Sequence, residues 1–267
     1  MKALSGILDI PASVGRKALG LAWELGSLSL FVCRGALLVF SLPLQWAKTV
    51  QQVFFIGVKS VSVILLIGLF TGMVLGLQGY YTLVKFGAEG LLGVAVALSI
   101  IRELGPVLTA IMITGRAGSS MAAELGIMRI SEQIDALDAM GVSPVRYLFS
   151  PRLAASLICF PLLTAMFDVI GIMGGYLTGV LMLGVSPGIY MARIYDGVVM
   201  QDVTSGFVKS AVFAALVASI CCYQGYYAHR REGGFGARGV SLATTTAVVA
   251  SCVSILAADY ALTSFLL

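Results

Sequence analysis

The chain has 267 residues, with 17 Lys and Arg against 13 Asp and Glu, for a formal net charge of +4. Only 11% of its residues are charged and 59% are hydrophobic, whereas a soluble domain carries about 25% charged residues. So few charges cannot cover the surface of a protein in water, which excludes a soluble globular domain and makes lipid part of the solvent. The 31 glycines then point to closely packed membrane helices rather than to loops.

In chain order, the opening stretch MKALSGILDIPASVGRK has no basic-then-apolar core ending at a small-residue cleavage site, so it does not resemble a cleavable signal. Ser13–Leu42 follows, apolar but carrying Arg16, Lys17, Glu24 and Arg34, with Trp23 inside it and Trp46 just beyond. It could span or lie flat as an amphipathic interfacial helix. Five apolar segments are then long enough to cross: Val53–Leu83, Leu91–Thr114, Leu153–Leu183, Gly206–Tyr227 and Leu242–Leu267. The first and third exceed the need and are expected to be tilted, kinked or broken, the third near Asp168.

Basic residues choose the arrangement. If the N-terminal helix lies flat on the cytoplasmic side, one side collects Lys2, Arg16, Lys17, Arg34, Lys48, Arg116, Arg129, Arg146, Arg152, Arg230, Arg231 and Arg238. The other keeps Lys85 and Arg193. That asymmetry favours five spans with the N-terminus inside. The expected fold is therefore all-α and polytopic, with residues 1–50 as an interfacial region and 51–267 as one transmembrane domain. A soluble loop, Gly115–Ser150, is expected between spans two and three. Its apolar Leu125, Met128, Ile134, Leu137 and Met140, with acidic Glu124, Glu132, Asp135 and Asp138, read as one or two short amphipathic helices. They form either a solvated face or a docking surface.

Gly68, Gly72 and Gly76 recur every four residues, as do Gly171, Gly175 and Gly179, each set on one helix face where backbones can approach. Packing within one chain suffices to explain them, and a contact between two copies is the alternative. The sequence GFGARG, 234–239, matches a dinucleotide fingerprint but sits in a basic loop without the βαβ unit that such a site needs. The chain has no Gly-Lys pair and so no phosphate-binding P-loop. Any nucleotide hydrolysis that drives it belongs to another chain. Cys33, Cys159, Cys221, Cys222 and Cys252 form no C-x-x-C pair, and His229 has no ligand-spaced neighbour, so no metal or catalytic residue is expected.

The second span contains SIIRELGPVLTAI, with Arg102 and Glu103 near its middle. Lys209, Asp168 and Asp259 lie within other spans. A charge at the centre of a membrane helix costs about 2.5–3.5 kcal/mol on insertion scales. Neighbouring residues on a helix point about 100° apart, so Arg102 and Glu103 need partners on other helices or in a hydrated cavity. Either an ion pair locks the bundle or a polar patch lines a substrate path. Pro106 removes the backbone bond to the Arg102 carbonyl, which only protein contact or a cavity tolerates.

TGMVLGLQGY, SIIRELGPVLTAIMITGRAGSSMAAELGIMR, EQIDALDAMGVSPVRYLFSPR and LATTTAVV together resemble the MlaE family of ABC-transporter permeases, over about two-thirds of the chain and most densely from Gly68 to Arg152. The resemblance implies a permease subunit moving phospholipids between the bacterial inner membrane and a periplasmic MCE-domain partner, in maintaining outer-membrane lipid asymmetry. It implies a homodimer, a separate cytoplasmic ATPase that holds ATP and Mg, no cofactor on this chain and no nucleic acid. It places lipid contacts on Leu75, Gln78, Leu83 and Phe86, the mid-membrane charges on Arg102, Glu103 and Lys209, and ATPase coupling on Glu124, Arg129, Glu132, Asp135 and Asp138. The spacing of Leu75, Leu83 and Phe86 also puts them on one helix face, and Lys85 beside them could meet a phosphate or the outer interface. The competing reading is an ion- or proton-coupled secondary transporter using Glu103, Asp168 or Asp259. That class often carries inverted repeats, and none is visible here.

Overall fold

The computed structural model describes residues 23, 26–33, 45–230 and 236–266. Every element among them is helical. We number the helices α1 (Trp46–Val84), α2 (Glu89–Ile130), α3 (Gln133–Ala139), α4 (Val145–Met182), α5 (Pro187–Gly197), α6 (Met200–Tyr226) and α7 (Gly236–Leu266). Five of them, α1, α2, α4, α6 and α7, are long and apolar enough to cross a membrane. The helix is the natural solution in lipid because it satisfies its backbone internally. Hydroxyls in the spans follow the same rule. Thr244, Thr245 and Thr246 each donate to the carbonyl four residues back.

α6 is the most buried span, and it packs on α2, α4 and α7. α1 lies against α4 on the other side. That seam is the glycine ladders meeting each other within one chain. A methyl group on Gly72 would overlap the Gly171 carbonyl, and one on Gly76 would come within 3.1 Å of the Gly175 carbonyl. Lipid tails are as apolar as leucine, so close backbone approach supplies the attraction that water-driven burial cannot. The outward face of α1, from Val50 and Phe54 through Leu66, Phe70, Val74 and Leu77, is left as exposed apolar surface.

Several boundaries differ from the sequence reading. α2 does not stop at Thr114. It runs on to Ile130, burying Met121, Ala122 and Leu125. The expected soluble loop Gly115–Ser150 therefore shrinks to residues 131–144 around α3, and Arg116 lies inside a helix. The amphipathic pattern was real, but burial of one face carried it into the bundle. α4 is continuous through Asp168 and widens only near its two ends, at Val145–Phe149 and Leu177–Met182, so the expected break at Asp168 is absent. α1 is interrupted, by a tight turn at Val58–Ser60. α5 and the early starts of α4, α6 and α7 were not expected. Of the N-terminal segment Ser13–Leu42, most residues, among them Arg16, Lys17, Glu24 and Arg34, lie outside the described residues. Within it, residues 26–33 are helical, and buried Phe31 sets its ring 4.9 Å from Phe149 and 5.5 Å from Tyr226.

The α1–α4 seam gives a direct test. Gly72→Leu is expected to lower stability by at least the 1–3 kcal/mol or so typical of overpacking, read as a lower thermal midpoint in detergent. Gly115→Ala, at a position with open space around it, is expected to leave the midpoint unchanged.

Candidate functional site

Four of the five intramembrane charges converge, and Asp168 stays apart, its carboxylate on α4 set against Gly105 of α2. At residues Ile100–Leu104, α2 widens into a π turn, in which the Gly105 amide reaches back five residues to the Ile100 carbonyl. This turn carries Arg102 and Glu103. Arg102 Nε donates to Asp202 Oδ1 at 2.7 Å, and Arg102 Nη2 lies 2.7 Å from the same oxygen. The other oxygen of Asp202 accepts the Val199 amide at 3.1 Å, so one carboxylate caps α6 and grips the arginine. Lys209, in the third turn of α6, is held from four sides. Its Nζ donates to Glu103 Oε2 at 2.7 Å, to Thr263 Oγ1 at 2.6 Å and to the Arg102 carbonyl at 3.0 Å, and pairs with Asp259 Oδ1 at 3.2 Å.

The third of those bonds accounts for Pro106. The proline cannot donate to the carbonyl four residues back, which is that of Arg102. Lys209 supplies the missing donor from another helix. The three residues named from sequence, Arg102, Glu103 and Lys209, are thus brought together. Asp202 and Thr263 were missed, and Asp259 was noted as an intramembrane charge and as a proton site in the competing reading but not as a partner of Lys209. Asp202 falls before Gly206, where the sequence shows no span yet. Its spacing of seven from Lys209, two helical turns, was the available signal.

Arg102, Glu103, Val199, Gln201, Asp202, Ser205, Lys209, Thr263 and Leu266 wall an open cavity of about 180 Å³. Lys209 is buried, with 2% of its side chain exposed, whereas Arg102 and Glu103 keep 37% and 38%. The cavity lies in the half of the bundle that also carries the end of α1, α5 and the end of α7. There Leu75 and Leu83 pack partly buried against the core, while Gln78 and Phe86 are exposed. α1 ends at Val84, so Phe86 lies in the turn beyond the helix and not on a continued helical face with Leu75 and Leu83.

At the opposite end, Glu124 pairs with buried Arg152 at 2.9 Å, tying α2 to α4. Arg129 Nη1 donates to Asp135 Oδ1 at 2.6 Å and its Nε to His229 Nδ1 at 3.0 Å, which joins α3 to the end of α6. Glu132 and Asp138 are exposed, and Glu132 takes a left-handed backbone (φ 58°) that turns the chain from α2 into α3. Arg116, in a second π turn at Thr114–Gly118, donates to Ser60 Oγ at 2.5 Å and to the Phe55 carbonyl at 2.7 Å, at the interruption of α1. Among the described residues no cluster of three metal-ligating side chains occurs.

Five helices long and apolar enough to span, with an open charged cavity between α2, the start of α6 and the end of α7, define a multi-pass membrane protein. Residues 49–265 match the family described as Permease MlaE, and the chain belongs to that family. It is 41% identical to a probable ABC transporter permease protein of Rickettsia felis over 257 residues, 96% of this chain and 97% of that one. It is 39% identical over 218 residues to the intermembrane phospholipid transport system permease protein MlaE of Haemophilus influenzae, 81% of this chain and 82% of that one. It is 36% identical to the chloroplastic protein trigalactosyldiacylglycerol 1 of Arabidopsis thaliana, over 83% of this chain and 62% of that one.

Removing Lys209 strands Glu103 and Asp259 and leaves the Arg102 carbonyl without its donor. Lys209→Met is expected to cost about 3–5 kcal/mol, the usual penalty for breaking a buried pair. Because Pro106→Ala restores a backbone donor, the same change in that background is expected to cost less, by about 1 kcal/mol. A double-mutant cycle on detergent unfolding reads the difference.

Proposed function

We propose that this chain is the permease subunit of an ABC transporter that moves phospholipids between the bacterial inner membrane and a periplasmic MCE-domain partner. It works as a homodimer, with ATP and Mg bound and hydrolysed on separate cytoplasmic ATPase subunits. The N-terminus is cytoplasmic, and residues 1–50 form an interfacial region. The relatives' names support this reading, and the charged cavity carries it. Arg102 and Glu103 are more than a third exposed in the single chain, and lipid would not tolerate them so. A second copy that encloses a hydrated cavity removes the conflict. Leu75, Gln78, Leu83 and Phe86 contribute the wall for acyl chains, and Arg102 and Lys209 meet the headgroup. Glu124, Arg129, Glu132, Asp135 and Asp138 form the region through which the ATPase couples. In the secondary-transport alternative, Glu103, Asp168 or Asp259 would carry protons. Glu103 and Asp259 are engaged by Lys209, an arrangement that favours a latch over a free proton carrier at those two.

Two measurements test the proposal. Arg102→Ala and Arg102→Lys are both expected to reduce lipid transfer about tenfold or more while the dimer still purifies with its ATPase. The lysine lacks the planar fork that converges on Asp202. Full transfer by both would end the headgroup reading. Reversing Glu132 and Asp135 to Lys is expected to weaken ATPase co-purification in a chain that inserts normally, and unchanged binding would remove the coupling role.

A further inference from the structure

A second polar pocket lies between the first turns of α1 and α4, at the opposite end of the bundle from the charged cavity. Lys48, Gln51, Gln52, Tyr147, Leu148, Pro151 and Arg152 line its volume of about 110 Å³. No acidic side chain lines it among the described residues. Three of its buried polar atoms, Lys48 Nζ, Gln52 Oε1 and Arg152 Nε, have no hydrogen-bond partner among the described residues. Arg152 is 6% exposed. Its Nη2 is taken by Glu124 and its Nη1 by the Leu148 carbonyl, which leaves Nε. Among the described residues Lys48 has no ion pair and rests on the Tyr147 ring. Buried polar groups are otherwise nearly always paired, and an unpaired cation is the costliest to leave so. The two donors among the three atoms, Lys48 Nζ and Arg152 Nε, call for a ligand that accepts hydrogen bonds and carries negative charge.

We infer that this pocket binds a phosphate-class anion, supplied by the headgroup of an anionic phospholipid at the membrane surface. Two independent features give the class. The pocket lies beside the first two turns of both α1 and α4, and the positive dipole ends of two helices favour an anion. Lys48 and Arg152 Nε add charge-assisted donors, and the Gln52 amide can turn its NH₂ inward, since its orientation follows its partner. The volume equals about three to four waters at roughly 30 Å³ each, which suits a headgroup phosphate. The position gives the source. The part of α1 beyond its interruption, Val61–Val84, has 24 residues and measures roughly 36 Å at 1.5 Å per residue, enough to cross a hydrocarbon core of about 30 Å, so the turns that precede the interruption lie at the headgroup level. Exposed Trp46 is the kind of residue that anchors there, and exposed Val50 and Phe54 continue the face toward the acyl chains. This site is distinct from the proposed transport cavity and does not depend on the direction or substrate of transport.

The test is protection of the Lys48 amine. The purified full-length protein is placed in nanodiscs of phosphatidylglycerol or of phosphatidylcholine and treated with an amine-reactive reagent. Modification at Lys48 is read by peptide mass spectrometry, with exposed Lys85 at the other end of the bundle as internal reference. Phosphatidylglycerol is expected to slow Lys48 labelling about tenfold relative to Lys85, the effect of one charge-assisted contact, and Gln52→Leu is expected to reverse much of that protection. Protection by inorganic phosphate in phosphatidylcholine discs, with none from phosphatidylglycerol, would overturn the lipid source. Equal labelling in both discs and no effect of phosphate would overturn the site. Lipid transfer is not the readout, so the outcome stands apart from that of the transport proposal.

Discussion

A lysine ammonium buried at 2% exposure is the constraint around which the upper half of this bundle is arranged. Lys209 cannot remain charged in a low-dielectric interior unless its protons and its charge are all met. The structure meets them with one carbonyl, one hydroxyl and two carboxylates drawn from α2 and α7. The carbonyl is available only because Pro106 has released it. Glutamate and proline within one turn of α2, and aspartate and threonine within one turn of α7, thus answer one cation on α6. A change at any of them alters the conditions for the rest, which is why the cluster is expected to respond as a unit rather than residue by residue.

The same economy explains the wide turns of α2. Arg102 and Arg116 are 14 residues apart, and 14 steps of 100° return to within about 40° of the start. On an unbroken α-helix both arginines would leave nearly the same face. The π turns at Ile100–Leu104 and Thr114–Gly118 break that register. One arginine then reaches Asp202 on α6, and the other reaches Ser60 and the Phe55 carbonyl on α1. Arg102, which looked like an expensive charge in an apolar run, and Arg116, which looked like a loop residue, each mark a place where the helix departs from regularity to send a cation to a neighbour.

What could be read in the sequence divides along physical lines. Five spans were legible because lipid demands long apolar runs, and the glycine ladders because period four marks one helix face. Their partner was not legible: Gly72 meets Gly171 through tertiary packing, which no local pattern encodes. The region Gly115–Ile130 misled because an amphipathic helix in water and one packed on α6 and α7 bury the same residues, Met121 and Leu125 among them. Arg102, Glu103 and Lys209 stood out as charges in apolar surroundings. Asp202 did not, since it starts a helix amid polar neighbours, and its role depends on a fold that brings residue 202 to residue 102. Lys48 and Arg152 gave no signal at all, being ordinary interfacial basic residues until α1 and α4 are set side by side.

α2 emerges as the spine of the molecule. Arg102 and Glu103 fasten it to α6, Arg116 to α1, and Glu124 to α4, at three successive levels along its length. At its far end Arg129 reaches His229, just past α6, and Asp135 on α3. α2 and α6 are therefore joined at both ends, through ion pairs at one and through Arg129 at the other. A displacement of α3 has a stiff path to the charged cavity, because two helices bonded at both ends resist sliding past each other. α1 and α4, zipped backbone to backbone by glycine, make a second stiff pair, tied to the first through Arg116 and Glu124. The wall that Arg102 and Glu103 leave open is not supplied by either pair. In the proposed assembly the second copy supplies it, so the two stiff units of one chain would move against those of the other, and the charges at the cavity mouth would meet whatever passes between them.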